Sequence, residues 1–310
     1  MSPRSASLRG VYPRLGRALR SRLAMTGLAL LGVALVLAVA APLVAPADPN
    51  AQELTQKLRP PFWAPGGSPQ SPLGTDALGR DVLSRMLFGL RVSIVVALLA
   101  VLVSGVVGVT LGVVAGFYGG RTDAAIMRLV DVQLSMPVTL IAIAIIAAVG
   151  TSLANLVLVL GLSQWPLYAR VVRGEALALR GRDFLIAARA VGASSSRLIL
   201  RHVLPNTASS IVVVATLGVA SVVVLEAGLS FLGLGVQPPQ PSLGGMLSEG
   251  REYLATAWWL GVFPGLAIML LVLGINLFGD GLRDLLDPRQ RLRLPAGITS
   301  GRSAAEAGQR

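Results

Sequence analysis

Apolar residues fill five charge-free runs of the chain, at positions 23–47, 92–120, 132–169, 202–225 and 253–279. A charge at mid-bilayer costs about 2.5–3.5 kcal/mol on insertion scales, so such runs read as membrane spans of about 20 residues. The third run has 38 residues. That is too long for one helix across a core of about 30 Å. Gly150-Thr151-Ser152 is a break signal inside it, and dividing there predicts six transmembrane helices in an all-α membrane protein. In the second run Ser104, Gly108, Gly112, Gly116 and Gly120 recur every four residues. Such a stripe drifts slowly around one helix face and allows close helix approach; a hinge or channel lining is the alternative.

The polar stretches between runs carry their own patterns. Phe184, Ala187, Ala188 and Val191 fall at i, i+3, i+4 and i+7, which predicts a short amphipathic helix. Asp183 is placed to cap its start and Gly192 to end it. Ser194, Ser195 and Ser196 open a second short piece, and Pro205 stands at the foot of the next span, where a first helical turn tolerates proline. The small apolar face of the short helix suits a membrane surface or a groove on a partner. Residues 46–91 form the longest external segment, and its first part, rich in proline and glycine (Pro60, Pro61, Pro65, Gly66, Gly67), predicts a loop. Both an exposed linker and a docking surface fit it.

Charge fixes an orientation. With six spans, the segments sharing a side with the N-terminus hold 21 Lys and Arg, and the opposite side holds 6. The excess of basic residues marks the cytoplasmic side, so both termini are expected there. The predicted divisions are a basic cytoplasmic tail (1–22), a first transmembrane helix (23–45), an extracytoplasmic segment (46–91), a core (92–285) and a cytoplasmic tail (286–310). The first span, long for a signal peptide, reads as an anchor helix.

Composition narrows the class. The 310 residues are 54% hydrophobic and 14% charged, where soluble chains carry about 25% charged residues. The net charge of +12 sits in loops beside spans, which topology explains without nucleic acid. There is no Cys, one His (His202) and one Lys (Lys57). A phosphate-binding loop needs a lysine behind glycines, and Lys57 follows Gln56 with no glycine before it. The expectation is a non-catalytic chain with no metal or cofactor of its own. Glu226 stands in the apolar run Val222–Phe231 near the outer end of its span, where an ionisable residue is a functional candidate. It and Gln164 are the candidate pathway or gate residues; at that end water can reach Glu226, and a structural pairing is its other reading. Trp258 and Trp259 read as interfacial anchors.

Ala187-Ala188, three residues, Gly192 and then Leu204-Pro205 resemble the cytoplasmic EAA loop of bacterial ATP-binding-cassette importer permeases. Ile186 stands at that family's Glu position and His202 where an Ile is common. Gly74-Thr75-Asp76, Leu78-Gly79-Arg80-Asp81 and Ser84-Arg85 resemble the signature before the second span of peptide/nickel-type permeases. Ser135-Met136-Pro137, the Leu229–Gly235 stretch with Pro238-Pro239, and Gly279–Asp284 with Leu286-Asp287-Pro288 are similar in the same family order. The first span and following loop look like the start of the "C" permease of such systems. The resemblance implies a type I importer permease fold in the bacterial inner membrane. It also implies a homologous second permease, two ATPases holding ATP and Mg, and an extracytoplasmic binding protein as partners. Residues 176–205 would form the ATPase-coupling loop, through Asp183, Ala187, Ala188, Gly192, Leu204 and Pro205. The implied cargo is di- or oligopeptides, with nickel, a nickel chelate or glutathione as the alternative.

Overall fold

A computed structural model describes residues 22–286. Apart from Arg22 and Leu286, the predicted tails 1–22 and 286–310 lie outside the described residues. The chain is helical, with no β-strand among the described residues. Its helices are α1 (Arg22–Val44), α2 (Val82–Tyr118), α3 (Gly120–Leu134), α4 (Val138–Val149), α5 (Leu153–Arg180), α6 (Asp183–Ala190), α7 (Ser195–Leu198), α8 (Leu204–Phe231), α9 (Leu243–Gly250) and α10 (Trp259–Leu286).

By length and apolarity, four segments can cross a membrane: α1, α2, the continuous Ser195–Phe231 stretch and α10. Counting the bent pair α3–α4 as one span makes five. The sequence predicts six, and the difference lies in residues 132–169. The helix does break at Gly150, whose φ of +87° suits glycine, and the Ser152 hydroxyl caps α5 by accepting from the Asn155 N–H at 3.1 Å. A second break at Pro137 was not expected. There α3 and α4 meet at 88°, because a proline disfavours helical geometry in the residue before it. The 12 residues of α4 reach only about 18 Å at 1.5 Å per residue. The 28-residue α5 carries Asn155, Ser163, Gln164, Arg170 and Arg173, too polar a run to qualify as a span by itself.

Gly120 of the predicted stripe begins α3 with open space beside it, but the part of the stripe within α2 settles on tight packing. Its glycines face α5: a Cβ at Gly108 would lie 2.5 Å from the Tyr168 Cβ, and one at Gly116 would lie 2.7 Å from the Ala176 Cβ. The buried Ser104 hydroxyl donates across the same seam to the Gly161 carbonyl at 2.7 Å. The main core gathers Val96, Ala97 and Ala100 of α2, Leu156 and Leu160 of α5, Val222 and Val223 of α8 and Ile275 of α10. α1 joins this bundle through α10 and α2.

Candidate functional site

α6 lies at the end of the bundle where α2 and α5 finish and α8 begins. Leu185 is its anchor: 1% exposed, it inserts among Val113 and Phe117 of α2, Val172 and Ala176 of α5, and Leu198 and Val203. Phe184, Ile186, Ala187 and Val191 stay exposed. Ala188 does not share that face; it is half-buried against the Leu185 cluster. The expected face is therefore corrected to one formed by Phe184, Ile186, Ala187 and Val191. Asp183 is also corrected. It is the first helical residue, Arg182 holds the capping position, and no side chain caps the helix. Asp183 instead stands in the first turn, where a carboxylate opposes the helix dipole favourably. Gly192 ends α6 as expected from its φ of +84°. Its N–H bonds the Arg189 carbonyl at 3.0 Å, and the Ala193 N–H bonds Ala188 at 3.1 Å. The Arg189 guanidinium lies 5.4 Å from the Phe117 ring centre, a second tie to α2.

Beyond α6, residues Ile199–Val203 form a π-helical turn that runs straight into α8. The Leu204 N–H reaches back five residues to the Ile199 carbonyl, and Pro205 next to it has no N–H to give. Leu204 is half-buried against the Leu185 cluster and Pro205 is exposed. α7, the π turn and α8 thus run on as one continuous helical stretch, Ser195–Phe231. Glu175 of α5 accepts a hydrogen bond from the Ser210 hydroxyl of α8 beside it. That tie has no local sequence signal.

The opposite end of the bundle carries a folded cap, not an exposed linker. Residues 46–81 return on themselves: Leu58 N–H bonds Asp76 at 3.0 Å and Thr75 N–H bonds Arg59 at 3.0 Å. Asp76 is the hub. Its carboxylate accepts from Leu78 N–H at 2.8 Å, from the Arg80 Nε at 2.6 Å and from Arg85 Nη1. Both arginines also reach Glu249 of α9, at 2.9 Å from Arg80 and 2.7 Å from Arg85. Asp76, Arg80 and Arg85 are all buried. Neighbouring Asp81 caps α2, accepting from Ser84 N–H at 2.7 Å. Burial pushes its carboxyl above the usual range, against the pull of the Ser84 bonds. Trp259 is no interfacial anchor: it is buried and donates from Nε1 to the Thr75 carbonyl at 3.2 Å. Trp258 remains 44% exposed.

Glu226 is completely buried, where the sequence expected water to reach it. Its two carboxylate oxygens accept from the Ser93 hydroxyl of α2 and the Ser230 hydroxyl of α8, each at 2.8 Å. Ser230 in turn accepts from the Val236 N–H at 3.3 Å. A polar cavity of about 150 Å³, lined by Arg85, Ser230, Gln237, Ser242 and Glu249 among others, separates this trio from the ion cluster. Gln164 lies half-buried on α5 with no side-chain hydrogen bond among the described residues. The structure does not bring Gln164 and Glu226 into one site.

Comparison with known proteins gives this arrangement a family. Residues 108–292 match the binding-protein-dependent transport system inner membrane component, and residues 15–61 match the N-terminal transmembrane domain of oligopeptide transport permease C. The chain belongs to this permease family: it is a multi-pass inner-membrane permease subunit of an ABC importer, of the C type. It is 44% identical over 266 residues to the di/tripeptide transport system permease protein DppC of Pseudomonas aeruginosa, covering 86% of this chain and 88% of that one. The dipeptide permease DppC of Haemophilus influenzae is 40% identical, over 87% of this chain and 92% of that one. The glutathione transport system permease protein GsiD of Pectobacterium atrosepticum is 45% identical over 70% and 72%. Among solved structures, a chain of the inward-facing methionine ABC transporter MetNI matches at a TM-score of 0.53 and 19% identity, covering 65% of this chain and 96% of that one. That likeness supports the fold.

Proposed function

We propose that this chain forms half of the translocation pathway for di- or oligopeptides and transmits ATP-driven movement through α6. Its partners are a homologous permease, two ATPases that hold ATP and Mg, and a binding protein that meets the cap on the extracytoplasmic side. The observation that carries this reading is the division of labour on α6. One buried leucine locks it to the ends of α2, α5 and α8, while four apolar residues are left for a partner groove. An element locked this way moves as a rigid body, and its displacement shifts the helices that it grips. Helix-in-groove docking fits a short face of this size. Relatives named for di- and tripeptides support the cargo. The relative named for glutathione keeps that tripeptide as the second reading. Nickel, free or as a chelate, is the other alternative cargo; no cluster of His, Cys, Asp or Glu that could hold a metal is found among the described residues.

The test is uptake in a strain deleted for this chain, comparing labelled dipeptides, longer peptides, glutathione and nickel. Restored peptide uptake with the wild-type chain supports the assignment. Restored uptake of glutathione or nickel alone, with peptide uptake unaffected by the deletion, overturns the cargo.

A further inference from the structure

α1 and α10 are close at one end and apart at the other. Near α6's side of the bundle, glycines bring them together. A Cβ at Gly27 would lie 2.5 Å from the Phe278 nitrogen, one at Gly274 would lie 2.9 Å from the Leu30 Cβ, and one at Gly281 would lie 2.5 Å from the Ala24 Cβ. Toward the cap the facing residues become Val33 and Leu37 of α1 and Phe263, Leu266 and Leu270 of α10. Ala34 and Ala267 also stand in its walls, and the opening is a wedge of about 270 Å³ floored by Met86, Leu87 and Leu90 of α2. Every lining residue is apolar. Val33 is 60% exposed and Leu270 44%, so the wedge opens on the outer face of the subunit.

Its surroundings point to what fills it. A hydrocarbon chain is the slender apolar object available at this depth of the bilayer. At the cap end Phe263 meets Trp63 at 6.1 Å and Trp258 at 5.6 Å, and Phe62 meets Trp63 edge-on at 5.1 Å. Phe62, Trp63 and Trp258 are each about half exposed; aromatic side chains of this kind mark the headgroup level. Leu58 packs on the same cluster as Met86 and Phe263. The cations on either side of it, Lys57 and Arg59, form no ion pair among the described residues.

We infer that this wedge is a binding site for one anionic phospholipid, its acyl chain between α1, α2 and α10 and its headgroup at the aromatic rim beside Lys57 and Arg59. The lipid fills the gap between these helices and fastens α1 to the core. The inference stands apart from the cargo. Its test is native mass spectrometry of the complex, purified with its partner subunits and titrated with phosphatidylglycerol or phosphatidylethanolamine. The wild type should bind one phosphatidylglycerol tightly. Ala34→Phe or Ala267→Phe, each filling the wedge from one wall, should weaken that binding about tenfold, which is about 1.4 kcal/mol. Lys57→Gln with Arg59→Gln should remove the preference for phosphatidylglycerol. Added lipid should also raise the thermal midpoint of the wild type and not of Ala34→Phe, since a ligand stabilises only the state that binds it. Equal lipid binding by wild type and both wedge-filling variants would overturn the inference. So would loss of the partner permease from those variants with bound lipid unchanged.

Discussion

At one end of the bundle a 36-residue cap is held by two buried arginines shared between Asp76 and Glu249. At the other, the eight residues of α6 are held by the side chain of Leu185 and one cation–aromatic contact. The cap is fixed by groups that are expensive to separate, because each buried charge depends on its partner. α6 is fixed by packing that resists detachment and leaves its outer face free to meet another protein. The first arrangement suits a surface that must keep its shape. The second suits an element that must move as a unit and be gripped from outside.

The sharpest way to break this contrast is at Asp76. Asp76→Ala strands Arg80 and Arg85 beside a single carboxylate, and the loss of a buried partner costs about 3–5 kcal/mol. A large fall in thermal midpoint and in membrane yield is expected; an unchanged midpoint would mean that the cluster is solvated. Leu185→Ala should cost about 2–5 kcal/mol locally, concentrated in α6. Hydrogen exchange should rise across 183–190 while the cap stays protected, and uniform exchange would contradict the local anchor. Glu226→Gln keeps an oxygen for one serine and offers an amide to the other, so a loss of about 1 kcal/mol is expected. Assembly should survive and uptake should drop; wild-type uptake would remove the gate reading of Glu226. Ala187→Trp, on an exposed face, should change stability by no more than about 0.5 kcal/mol and yet abolish uptake.

The contrast also explains what could be read from sequence. The spans at α1, α2, α8 and α10 were legible because lipid excludes charge, and the end of α6 was legible because a left-handed turn favours glycine at 192. The choice of face on α6 was not. Both sides of that helix are apolar, since one packs inside the chain and the other is exposed, so the i, i+3, i+4 stripe mixed Ala188 of the inner side with Ala187 of the outer. The cap was read as loop, correctly in its backbone. Its ion cluster stayed hidden because Glu249 lies 164 residues beyond Arg85. Pro137 showed only as part of a familiar tripeptide, although its effect on the preceding residue is what turns α3 from α4.

The most direct measurement of the central claim couples two readings in one preparation: ATP hydrolysis and labelled-dipeptide uptake by the complex reconstituted in vesicles, with the wild-type chain and with Ala187→Trp. The variant should assemble and take up no peptide for the ATP that the ATPases consume. Wild-type uptake per ATP in the variant would show that the exposed face of α6 is not where movement enters this chain.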